Sequence, residues 1–137
     1  TRYWRDWSSD VCSSDLRLSV SPRLREIAIC VVAVLNEAEY EFIHHAPELL
    51  AAGGTQLQVD ALRDPHAAMK NAALFDEVER ATIELTVEMT RNVKVRAGLT
   101  EWLNAHLGAQ HTVELVATIA AYNMVSRLLI AVGVEPE

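Results

Sequence analysis

The chain has 137 residues, 50% of them hydrophobic and 23% charged, with a formal net charge of -7. That suits one globular domain with a sizeable core and excludes a disordered composition. An acidic chain without a basic run also argues against a phosphate backbone as partner, because nucleic-acid affinity rests on clustered Lys and Arg. The two cysteines, Cys12 and Cys30, form no CxxC and fit a reducing compartment. No secretory signal is expected from what the sequence shows. The most apolar stretch, Leu115 to Ile130, is interrupted by Asn123 and Arg127 and falls short of the ~20 apolar residues that a bilayer crossing needs. A cytoplasmic protein without a membrane partner is the expectation.

Thr1 to Leu16 has neither helical nor strand period and holds every Trp except Trp102. It matches, position for position, the translation of a sequencing adapter, so residues 1–16 are read as non-native and set aside. The domain is then 17–137, with Cys30 as its one cysteine and its native start expected to be missing.

Ser21-Pro22 predicts a helix start, with Ser as N-cap and Pro at the first helical position. Leu24, Ile27, Ala28, Val31, Val32 and Leu35 follow at helical spacing. Ile29, Ala33 and Val34 make the other faces apolar too, so this helix is expected to be buried. Asn36 stops it. A second helix runs from about Ala38 to Ala52 and ends at Gly53-Gly54, where glycine tolerates the left-handed conformation. Thr55-x-x-Gln58 is a capping box for a short third helix to about Arg63, and Asp64-Pro65 is read as its stop. Asp76-x-x-Glu79 caps a fourth helix to about Arg91. Residues 93–97 connect it to a fifth, opened by Gly98 or Thr100 and closed by Gly108. The last helix, about Ala109 to Val132, is apolar nearly all round and is expected to be central or intersubunit. No segment alternates like a strand, so the class is all-α, with about six helices.

One carboxylate, Glu26, sits inside the apolar first helix. On a wheel of the second helix with Phe42 at zero, Ala46, Leu49, Leu50 and Gly53 form the core stripe. His45 lies on its edge at about −60°, Glu41 lies outside it near −100°, and His44 is on the back. If the two helices fold as a hairpin about Asn36–Ala38, Glu26 and His45 are staggered by about three residues, or about 4.5 Å. Side chains of that length close such a gap, and a carboxylate buried without a partner is unfavourable. Glu41, one turn before His45, is expected to favour the imidazolium. Two readings stay open here: an acid–base pair, or a structural histidine beside a rim Glu26 paired to Arg23 or Arg25. Nothing resembles a dedicated zinc spacing, and no cofactor is implied. Cys30 reads as core. Tyr122, Asn123 and Arg127 form a polar line on the last helix, suited to a carboxylate ligand or a neighbouring subunit.

The stretches RLREIAI, AEYEFIHHAPELLAAG and VELVATIAAYNMVSRLLIAVGVEPE resemble the carboxymuconolactone decarboxylase family, whose superfamily also holds alkylhydroperoxidase D. The resemblance implies an all-α fold, trimers or hexamers, and a small-molecule substrate. In the alkylhydroperoxidase D pattern a Glu precedes a CxxC, and a His follows the second cysteine by four residues. Glu26 and His45 fall on that Glu and His, whereas Ala38 and Glu41 fall where the cysteines would be. The relay is therefore kept and both thiols are lost, which disfavours peroxidase or peroxiredoxin activity. The branch without CxxC resembles this chain better. It implies cofactor-free decarboxylation of a small carboxylated lactone, with Glu26, His45 and Glu41 as catalytic residues and Tyr122, Asn123 and Arg127 toward substrate. A non-catalytic oligomeric ligand-binding module is the remaining alternative.

Overall fold

The computed structural model describes residues 18–134, so what was read from residues 1–16 lies outside the described residues. Among the described residues there are seven helices and no strand: α1 Pro22–Leu35, α2 Glu39–Ala51, α3 Gln56–Ala61, α4 Pro65–Ala68, α5 Glu77–Arg91, α6 Leu99–Leu107 and α7 Ala109–Ala131. The fold is all-α. Helix α1 is its axis, packed against α2, α5 and α7. One side of α1 (Ile27, Cys30, Val31) joins Phe42, Leu49, Leu62, Phe75 and Ile83 in one core cluster. Another side (Ala28, Ile29, Val32) joins Leu85, Leu99, Leu103, Leu115 and Ile119 in a second. That explains why α1 is apolar all round: every face meets a neighbour.

The local start and stop signals act largely as the sequence proposes. Thr55 and Gln58 close one capping box, and Asp76 and Glu79 another. Gly53 takes φ +91°, and a Cβ on Gly54 would come within 2.8 Å of the Leu49 backbone oxygen, so both glycines at that turn are required. Two signals act differently. Ser21 holds the N-cap position but makes no side-chain capping bond; the entering chain is held instead by Glu114 of α7, whose carboxylate accepts from the backbone N–H of Ser19 at 2.8 Å and of Val20 at 2.7 Å. The Gln110 amide and those N–H donors hold the Glu114 carboxyl below its ordinary range. Asp64-Pro65, read as a stop, also starts α4: Asp64 accepts from the N–H of Ala67, and Pro65 supplies the first helical residue, which needs no N–H.

Helix α7 is 23 residues long, longer than the apolar stretch read from the sequence, and by length and composition alone could cross a membrane. Only 39% of its most apolar window is buried in the fold. The buried side faces α1 and α6; Val113 and Met124 remain 65% and 56% exposed.

Val93, which follows α5, sits at φ 64° and is 84% exposed. A β-branched residue in that left-handed region is strained, and its side chain has little packing to lose. Val93→Gly is therefore expected to raise the unfolding free energy by about 1 kcal/mol in urea titration. An unchanged midpoint would mean the strain is absent.

Candidate functional site

The α1–α2 hairpin turns at Asn36, with Glu37 beyond it at φ 57°. The Asn36 side chain donates to Asn123 Oδ1 at 3.0 Å and to Ser126 Oγ at 2.7 Å, tying the turn to α7. The hairpin closes with the small stagger estimated from chain position. His45 Nδ1 donates to Glu26 Oε2 at 2.8 Å, and the two side chains are 14% and 11% exposed. Arg23, an alternative partner for Glu26, is instead engaged with Glu79, Gly53 and Gln58, joining α1 to α3 and α5. The His45 ring also meets Tyr122 of α7 edge-on, with centroids 5.0 Å apart. With Nδ1 oriented by the carboxylate, Nε2 is the nitrogen left for chemistry, the arrangement a histidine acid–base needs.

Glu41 lies one turn before His45 on α2, yet not where the wheel put it. It is 3% exposed, whereas Leu50, assigned to the core stripe, is 40% exposed. The helix is rotated because a second neighbour claims it: Tyr40 packs against Val125 and Leu129 of α7. With α1 on one side and α7 on the other, the buried face runs through Tyr40, Glu41 and Phe42. Neither oxygen of the Glu41 carboxyl has a hydrogen-bond partner among the described residues, and burial pushes its pKa up to about 8. At neutral pH it is thus an undissociated acid, so it does not favour the imidazolium by charge, as the sequence suggested.

Cys30, one turn after Glu26, is completely buried. Burial pushes its thiol well up, and the Glu26 and Glu41 carboxyls push it further; Arg63 opposes this weakly. It is a core thiol rather than a nucleophile. Its i+4 spacing from Glu26 was the available sign that it belongs to this neighbourhood. Arg63 itself forms a bidentate pair with Glu39 at 2.7 and 2.8 Å and lies over the Phe42 ring.

Of the polar line on α7, Tyr122 reaches the pair. Asn123 donates to Thr90 Oγ1 and the Ile119 carbonyl, both at 3.0 Å, and its Oδ1 accepts from Asn36 and from Arg127. That amide is saturated, so contact with a ligand would have to break one of these bonds. Arg127 is exposed and bonded back to Asn123. No hydrogen bond runs from Asn123 or Arg127 to Glu26, Glu41 or His45 among the described residues. A cavity of about 420 Å³ opens beside the hairpin turn, between Ala38, Tyr40, Leu129 and Val134. Among the described residues no group of three or more His, Cys, Asp or Glu side chains gathers as a metal site.

Residues 6–84, more than half of the chain, match the model of the carboxymuconolactone decarboxylase family. The match contains Glu26, Glu41 and His45 and ends within α5; α6 and α7 lie beyond it. No curated protein and no solved structure matches the chain.

Proposed function

The chain belongs to the carboxymuconolactone decarboxylase family, and we propose that it is a cofactor-free carboxy-lyase-like enzyme acting on a small carboxylated lactone or related acid. The observation that carries this reading is the hydrogen bond between His45 and Glu26 in a largely buried setting. Glu26 fixes the ring and balances its charge. Nε2 of the imidazolium then hands a proton to the carbon that the carboxylate leaves, and takes one back from solvent before the next cycle. The carbon–carbon bond to the carboxylate breaks, its electron pair spreads into a conjugated carbonyl, and carbon dioxide departs. Thiol peroxidase chemistry is disfavoured by the sequence, which lacks the CxxC, and by Cys30, whose thiol is buried and held protonated. The test is a panel of carboxylated lactones and related acids in D2O, read by release of carbon dioxide and deuterium at the product carbon. Release of neither from any member, by protein that melts cooperatively, would refute the reading.

The partner we propose for α7 is a second copy of the chain. Its exposed Val113, Ala117, Ala120 and Met124 recur at four, three and four residues, the spacing of a helix–helix seam, and the family resemblance implies trimers or hexamers. Sedimentation at micromolar concentration is expected to show an assembly that Met124→Glu dissociates. A monomer for the unaltered chain, or binding of α7 to lipid vesicles instead, would refute it.

A further inference from the structure

The acid–base pair accounts for Glu26 and His45 but leaves Glu41 unexplained. A carboxyl that is 3% exposed, with both oxygens unpartnered, is unfavourable wherever it occurs. An apolar side chain of the same length would fill that volume without the penalty. Groups from three packed elements surround it. On α1, Cys30 feels both the Glu41 and the Glu26 carboxyls. On α2 itself, His45 is one turn away and bonded to Glu26. From α7, Tyr122 meets the His45 ring. Arg63, which follows α3, is held by Glu39 and acts on Cys30. Among the described residues no cation is bonded to Glu41 to hold it ionised.

Resting on the reading above, we propose that Glu41 is the oxyanion donor of the site: a neutral carboxylic acid whose O–H hydrogen-bonds the carbonyl oxygen of the substrate as that oxygen becomes an enolate. The roles are then divided. His45 delivers the proton to carbon. Glu41 keeps its own proton and stabilises the charge that builds on oxygen when the carbon–carbon bond breaks. This names the substrate class: an acid whose carboxylate is placed so that the electron pair left behind conjugates into a carbonyl. A neutral donor in a dry setting strengthens as the oxygen gains charge. An ionised carboxylate in the same place would repel the enolate. The acid form predominates below about pH 8, so the donor is present at neutral pH and is lost as pH rises through that value.

The probe is 2,4-dinitrophenolate, an enolate mimic that stays anionic throughout the range used. Unaltered protein is expected to bind it, with affinity falling by about tenfold as pH is raised through about 8. Glu41→Gln keeps a donor without a titration: binding is weakened by about threefold and its dependence around pH 8 disappears. Glu41→Leu loses the donor, and binding drops by about tenfold or more at neutral pH. Phenolate binding equal in the unaltered protein and Glu41→Leu, or a pH dependence that survives Glu41→Gln, overturns the proposal. Binding that depends on Glu41 in a protein that decarboxylates no acid would sink the lyase reading and leave the oxyanion site standing. Decarboxylation with normal kcat in Glu41→Leu would do the reverse.

Discussion

Glu26→Gln and His45→Asn are each expected to lower kcat by about 10²- to 10⁴-fold, the range a positioned acid–base contributes. The double variant is expected to be no worse than either single, because the two side chains act as one unit through their 2.8 Å hydrogen bond. A merely structural pair predicts something else. Breaking it would leave a buried charge or ring nitrogen without a partner, lowering stability by about 3–5 kcal/mol, with activity following the folded fraction. Thermal melts beside kinetics at saturating substrate separate the two. Full kcat in a folded Glu26→Gln protein would remove Glu26 from the chemistry.

Glu41 makes the second large prediction, this time in stability. In the unfolded chain its carboxyl ionises near the ordinary value of 4.5, and in the folded protein only near 8. Between those values the folded state holds a proton that the unfolded state has released. Stability therefore falls as pH rises from about 4.5 to about 8, by about 5 kcal/mol as an upper bound, and then levels off. Glu41→Met, unbranched and of similar length, removes the group. Its stability advantage over the unaltered protein is expected to grow by about 4 kcal/mol between pH 4 and pH 9. Denaturant titrations at several pH values measure this directly. Curves for the two proteins that run parallel across the range would show that the carboxyl ionises normally.

What was legible in the sequence was what local chemistry decides. Thr55 with Gln58 and Asp76 with Glu79 announce helix starts because the bonds close within three residues. Glu26 and His45 were placed together because a tight antiparallel hairpin leaves one free variable, its stagger. The rotation of α2 was not legible. It depends on Tyr40 meeting Val125 and Leu129, more than eighty residues further along. A wheel drawn on α2 alone weighs hydrophobicity and so puts Leu50 inside and Glu41 out, whereas packing against α7 does the opposite. The clasp of Glu114 on Ser19 and Val20 was hidden for the same reason. From the sequence Ser21 had the residue type of a cap, and only the tertiary approach of α7 shows the donors just before it engaged elsewhere. The saturation of Asn123 likewise needs Asn36, Thr90 and Arg127, drawn from three other places in the chain or helix, to be seen at once.

The tie from Asn36 to Asn123 and Ser126 has a consequence for alignment. Apolar contact between helices is non-directional and by itself specifies the height of a hairpin only weakly. A slip of one turn would displace it by about 5.4 Å, moving the His45 ring off Tyr122. The amide of Asn36 finds its two oxygens, on residues three apart, at one height only. It acts as a detent, setting the vertical position of the hairpin where greasy contact would let it slide. Exchange of that amide for a carboxylate by deamidation would set an acceptor against the Asn123 oxygen at the same point. An ageing preparation would then lose its alignment first at this turn, while the bulk of its helical signal persisted.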